Sequence, residues 1–218
     1  MAVVVGAGPG LGLAAARAFA AAGHHVALVG RRDEVLAGLA VRVEADGHGV
    51  DVGWAAVDVA DAAALRAALE RFVEHAGRLD VLLHNVSVYR AGRLGQVTAA
   101  DLLADLAVGA ASLLSAVDAV RPALVAARGS VLVTGSGAAD APDGAALTLG
   151  AQKAAVRALL VGMAADLAAD GVHAATLTVR GVLAPGTAFA PDLGAARLLG
   201  VGQHRHRPKE SWTVEHEL

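Results

Sequence analysis

A chain of 218 residues, 56% of them apolar and with a net charge of −3, is long enough to bury the core of one α/β domain. The absence of cysteine excludes disulfides, thiolate catalysis and cysteine zinc sites. Aromatics at 3% and a slightly acidic balance leave no electrostatic footprint for nucleic acid or an anionic membrane surface.

Strand and helix patterns alternate along the whole chain, the signature of a parallel sheet wrapped by crossover helices. The expected architecture is a Rossmann-type doubly wound sheet of about seven strands in three layers (α/β/α), forming a single domain over 1–218. Val3 to Val5 reads as a buried strand and Leu13 to Ala22 as the helix after it. His25 to Gly30 is a second strand, followed by a helix from Asp33 with Val35, Leu36, Leu39 and Val43 on one face. Gly47 and Gly49 turn into a third strand, Val50 to Val57, and Asp61 caps a helix striped by Leu65, Leu69, Phe72 and Val73. Val81 to His84 is the fourth strand, and a long helix from about Asp101 is expected to end before Pro122. Val131 to Thr134, a helix over roughly Ala145 to Ala169 and Val172 to Val179 complete the regular alternation. Beyond Pro185 the pattern weakens to a short helix near Asp192 to Leu199, a basic run through His204 and His206 that reads as a solvated tail, and a last strand at Trp212 to Val214. No apolar run reads as long and charge-free enough to span a bilayer, and the apolar N-terminus lacks a basic lead-in and is broken by Arg17. A cytoplasmic protein is therefore expected.

The strand-to-helix turn at the start of the chain carries the most chemistry. Gly6 and Gly8 permit a tight turn, Gly10 and Leu11 bring backbone N–H groups toward a pyrophosphate, and Gly12 permits close helix-on-strand packing. The helix N-terminus adds partial positive charge for an anion. At the end of the second strand stand Arg31 and Arg32, where a carboxylate would accept bonds from a ribose 2′-hydroxyl. Arginine forks suit a 2′-phosphate, so NADP(H) is expected in preference to NAD(H). The alternative is a pair of solvated surface arginines.

From residue 2 to about 190 the chain resembles the short-chain dehydrogenase/reductase family. Gly6, Gly10 and Gly12 fall on the family's Gly-x-x-x-Gly-x-Gly turn, and Asp58-Val59 on its adenine-contacting Asp after the third strand. His84-Asn85-Val86-Ser87 stands in place of Asn-Asn-Ala-Gly, keeping only Asn85. The resemblance implies that Ser136 binds a substrate carbonyl and that Lys153, from the Tyr-x-x-x-Lys motif, holds the nicotinamide ribose. It also implies a soluble homodimer or homotetramer acting on a small substrate of apolar or mixed polarity. Lys153 is one of only two lysines against sixteen arginines, so its retention points to a need for a compact ammonium.

Two departures touch the chemistry. Leu149 occupies the motif's tyrosine position, and Leu106 falls on the asparagine of the long helix. Leucine cannot transfer a proton. Tyr89, the only tyrosine, lies just past the fourth strand and is a candidate replacement acid, although a loop tyrosine more often packs. The segment over 186–218 is abbreviated where relatives cover the substrate, so a pocket open to solvent or completed by a neighbouring subunit is expected. The readings left open are an oxidoreductase with an atypical site, a catalytically silent dinucleotide-binding protein, and a non-redox enzyme such as a cyclase or isomerase built on the same pocket.

Overall fold

The computed structural model describes Met1–Leu218 throughout. Its seven strands are β1 (Ala2–Val5), β2 (Val26–Gly30), β3 (Val52–Ala56), β4 (Val81–His84), β5 (Ser130–Ser136), β6 (His173–Val179) and β7 (Glu215–Glu217). They form one sheet in the order β3-β2-β1-β4-β5-β6-β7, with every pairing parallel. Strand order reverses between β1 and β4, and a doubly wound sheet opens a crevice at that point, at the carboxyl ends of its strands.

Alternation along β1 builds both faces of the core. Val3 and Val5 join one buried cluster, Ala2 and Val4 the other. On the first face lie α3 (Ala62–Ala76), α5 (Ser112–Ala127) and α6 (Leu147–Ala169), contributing Leu65, Leu113, Leu124 and Leu160 among others. On the second lie α1 (Leu11–Ala21), α2 (Asp33–Glu44) and α7 (Pro191–Gly202), where Ala15, Ala16, Leu36 and Leu198 are buried. Each fully buried Leu or Val contributes about 1.5–3 kcal/mol. Alanine on α1 lets that helix sit close to α7. Asp61 caps α3 as expected, its Oδ1 accepting from the N–H groups of Ala63 and Ala64 at 3.1 and 3.0 Å.

Four expectations are corrected. Pro122 does not end its helix: α4 (Ala99–Leu106) runs through a π-helical turn, Ala107–Ala111, into α5, and Pro122 sits inside α5. Both Pro122 and Asp118, whose carbonyl loses its i+4 donor, are solvent-exposed, so water can satisfy that group. Because the segments are continuous, Ala99–Ala127 is also long and apolar enough to cross a membrane by length and composition, contrary to the reading of the sequence. Within the fold its apolar stripe covers the sheet, with Leu113, Val117, Val120 and Leu124 buried. The last strand is Glu215–Glu217, paired to Thr176–Thr178, a few residues later than expected. The histidine run is no loose tail: Gln203–His206 forms a 3-10 turn closing α7.

Candidate active site

The crevice at the β1/β4 reversal is built from the turn after β1. Gly6 adopts φ 84°, and a Cβ there would stand 2.6 Å from the carbonyl oxygen of Asn85, so no other residue fits. At Gly12 a Cβ would meet Ala7 Cα at 3.1 Å, whereas Gly8 and Gly10 face open space. Gly10 leads into α1 without any side-chain cap, and the first turn of α1 holds no acid. The leading N–H groups of a helix lack intrahelical partners, so this end presents donors and partial positive charge to the crevice. Leu11 turns its side chain inward, where it is buried and would contact a Cβ placed on Gly194. Only its backbone faces the turn's business.

Around this turn a cleft of about 240 Å³ is lined by Gly6, Gly8, Arg31, Arg32, Val59 and Asn85, among others. Arg31 and Arg32 are exposed and neither takes part in an ion pair. The nearest acid on α2, Asp33, is engaged by the indole of Trp54, whose Nε1 donates to its Oδ1 at 3.0 Å. Asp58 is exposed and its Oδ1 accepts from the N–H of Ala60 at 3.0 Å, shaping the turn that brings buried Val59 to the cleft.

Asn85 is the joint between β1 and β4. Its Nδ2 donates to the carbonyl of Gly6 at 3.0 Å, and its Oδ1 accepts from Thr134 Oγ1 at 2.8 Å. Lys153 closes the same network from α6. Its Nζ donates to the carbonyls of Thr134 and Val86 at 2.9 and 3.2 Å. An ammonium has three donors, so one remains for a ligand. The side chain is almost wholly enclosed, and burial pushes its pKa down to about 8. His84, beneath it, is pushed down to about 3, first by burial and then by the Lys153 charge, so its ring is neutral. Since Ser112 Oγ donates to the Val108 carbonyl at 2.6 Å, it accepts from His84 Nε2 at 2.8 Å, which fixes the tautomer.

Ser136 ends β5 half-buried, and its Oγ accepts from the N–H of Ala138 at 3.2 Å, leaving the hydroxyl hydrogen free to donate. Leu149 lies four residues before Lys153 on α6, hence on the same helix face, and is half-buried. Tyr89 is not brought into this group. It is 71% exposed, and no hydrogen bond ties it to Ser136 or Lys153. The structure thus joins Asn85, Thr134 and Lys153 in one hydrogen-bonded network, of which Asn85 lines the cleft, and Ser136 ends the strand that carries Thr134.

The motifs do not single out Gln152, yet it organises the wall of the site. Its Oε1 accepts from the N–H of Val88 at 2.9 Å and its Nε2 donates to the carbonyl of Val88 at 2.8 Å. It is fully buried and fills the space over Gly109 in the π-helical turn, where an added Cβ would lie 2.3 Å from Oε1. Beside it, Arg90 forks onto buried Asp105 with both contacts at 2.9 Å and reaches Asp101 at 3.0 Å. Arg90 holds the Asp105 carboxyl below the usual carboxylate range, against the opposing push of burial. A polar pair, Thr148 and Gln152, on an otherwise apolar helix face was the available signal for this cluster.

The fold and the glycine turn together define a doubly wound, Rossmann-type α/β protein. The short chain dehydrogenase profile matches residues 1–190, and the chain belongs to that family. It is 32% identical over 174 residues to sulfoacetaldehyde reductase 2 of Chromohalobacter salexigens, an alignment covering 78% of this chain and 68% of the relative. Two further curated relatives are covered over only 66% and 50% of their length. Among solved structures, a metagenomic short-chain oxidoreductase in complex with NADP superposes with a TM-score of 0.86 at 25% identity, over 99% of this chain and 95% of the other. An NADPH-bound short-chain oxidoreductase from Pseudomonas aeruginosa PAO1, described as containing an atypical catalytic center, shares the fold with a TM-score of 0.89 at 21% identity, over 100% and 94% of the two chains.

Proposed function

We propose that this chain is an NADP(H)-dependent oxidoreductase that interconverts a small carbonyl compound and its alcohol with an atypical active site. The observation that carries the reading is the buried Lys153 ammonium, held by two backbone carbonyls with one N–H left for a sugar hydroxyl. The residues present fit the cofactor. Gly8 and Gly10 leave space for a pyrophosphate, uncapped α1 supplies N–H donors, and the unpaired Arg31 and Arg32 suit a 2′-phosphate. The NADP and NADPH complexes among the structural neighbours support the same choice. When bound, the cofactor supplies or accepts a hydride at the substrate carbon.

The chain's own contribution is orientation and proton handling. Ser136 donates a hydrogen bond to the substrate oxygen, and Lys153 grips the ribose and keeps positive charge near the reacting centre. Asn85 and Gly6 hold the turn in register. Leu149 offers no proton, which removes a contribution of roughly 10²–10⁴-fold. With Tyr89 exposed, the proton reaches the substrate oxygen from water through a mouth left uncovered by the irregular, largely exposed segment over residues 180–190. That openness also accepts a substrate of apolar or mixed polarity. Cytoplasmic location and homo-oligomeric assembly belong to the same proposal.

Leu149 favours a second reading, a protein that binds the dinucleotide without redox turnover; a non-redox isomerase or cyclase on the same pocket would likewise leave NADPH unconsumed. The deciding experiment titrates NADPH by calorimetry and then follows its oxidation across a carbonyl panel, in the wild type, Arg31→Gln and Leu149→Tyr. Weakened NADPH binding in Arg31→Gln is expected. So is slow turnover that Leu149→Tyr raises by roughly 10²–10⁴-fold. Tight binding with no turnover in either form supports the silent reading, product formed at constant NADPH supports the non-redox one, and no binding at all removes all three.

A further inference from the structure

At the opposite end of the sheet from the glycine turn lies a second, larger cavity of about 800 Å³. Its walls come from the C-terminal part of α1, the start of β4, the second half of α7 with the turn after it, and β7. Arg197, His204, Arg205, His206, Arg207 and His216 line it, His24 joins them from beyond α1, and no carboxylate is among the lining residues. Phe19, Val81, Leu199 and Val201 supply apolar patches between these groups.

The acids nearby are already engaged: Asp140, Glu215 and Glu217, which line the adjoining cleft with Arg197 and His216, pair with Arg157 and Arg180, and Asp80 lies at the floor. The amino group of Met1 and Nε of Arg78 each lie 2.8 Å from its carboxylate, and His24 Nδ1 lies at 3.8 Å. Arg205 is committed to the floor: its side chain is only 9% exposed, Nη1 donates to the Asp80 carbonyl at 3.2 Å, and Nη2 stands 3.7 Å from Oδ1. Its Nε is buried without a partner, as is Nδ1 of His204. Arg197 and Arg207 are exposed and enter no ion pair, in a molecule where eight other arginines do. Behind the wall, His173 is fully buried and stacks edge-on with Trp212 at 5.2 Å, while His204 lies 5.9 Å from His173 and 5.3 Å from His216. The C-terminal segment is thereby packed into a fixed wall around the cationic groups.

We infer that this cavity is a binding site for a small phosphate-bearing compound, gripped by the free guanidinium forks of Arg197 and Arg207 and by the imidazole N–H of His204. The cavity volume falls in the range of small-molecule sites, which separates it from a flat basic patch for a macromolecule. Two unpaired arginines match the double charge of a phosphate monoester, and guanidinium forks match its oxygens two at a time. Burial keeps His204 and His216 below the usual histidine range, so both rings are neutral at neutral pH; the one N–H of His216 is spent on the Thr213 carbonyl at 3.1 Å, which leaves His204 as the neutral donor.

The test is a calorimetric titration with inorganic pyrophosphate of the wild type, of Arg197→Gln/Arg207→Gln and of Arg31→Gln/Arg32→Gln. The first pair of substitutions is at exposed positions, and thermal melts serve as the folding check. A saturable component should appear in the wild type. It should weaken by at least about tenfold in the Arg197/Arg207 variant, the loss expected from about one charge-assisted hydrogen bond, and persist in the Arg31/Arg32 variant. The inference is overturned if no saturable component appears or if every component survives the Arg197/Arg207 substitutions. NADPH affinity, measured on the same proteins, should fall only in the Arg31/Arg32 variant, so the failure of one site is not mistaken for failure of the other.

Discussion

At the scale of single residues, Lys153 makes a titration prediction. Its ammonium ionises near pH 8 in the folded chain against an ordinary 10.5, because burial disfavours the charge. The unfolded chain therefore holds more protons at this position between those values, and stability of the ligand-free protein rises with pH across that window. Below about pH 8 the penalty is fully present, and above 10.5 both states are neutral. Urea midpoints measured over this range should climb in the wild type and lose that climb in Lys153→Met. An identical slope in both proteins would show that the lysine is not desolvated. Residues of this kind were legible in the sequence because their local motif places them: Gly6, Asn85 and Lys153 meet at the crevice as their positions imply. Tyr89 shows the limit, since a residue close to a strand end in sequence can still point into solvent.

At the scale of elements, the π-helical turn between α4 and α5 is held open by a partner that comes from far along the chain. Gln152 reaches Val88 across 64 positions and stands over Gly109, so neither helix alone contains the reason for the distortion. That is why it was not read beforehand, and why Pro122 misled: a proline rule applies to helices whose carbonyls are shielded, and the affected one here faces water. Gln152→Leu removes both bonds to Val88 and leaves its N–H and C=O without partners. The expected cost is about 2–4 kcal/mol in chemical denaturation, from one to two unsatisfied backbone groups. A loss under about 0.5 kcal/mol would mean that water replaces the amide. The first six strands, by contrast, were legible to within a few residues, because short, buried, largely apolar runs such as β1, β5 and β6 are local properties, whereas β7, Glu215–Glu217, has no apolar run and fell beyond its expected place.

For the molecule as a whole, the face carrying α4, α5 and α6 remains unfinished. Leu103, Leu114, Leu147 and Val161 are 67%, 43%, 39% and 47% exposed on these helices. Covering them with a second copy would remove this surface from water, and a dimer or tetramer is expected in light scattering at micromolar concentration. Leu103→Asp combined with Val161→Arg should shift the population to monomer; a wild type that is already monomeric at tens of micromolar would refute the assignment. Neither the charge balance nor the alternating pattern reports on such a surface, since both describe what the chain does to itself.

The chain also carries its own pair of optical gauges. Its two tryptophans are far apart in sequence: Trp54 is tied by its indole N–H to Asp33 beside Arg31 and Arg32, and Trp212 abuts the histidine stack behind the basic cavity. With no third indole to blur the signal, a Trp212→Phe protein reports only on the crevice, and a Trp54→Phe protein only on the far end. Quenching, spectral shift or energy transfer to a reduced nicotinamide can thus be assigned to one end of the sheet without any added label.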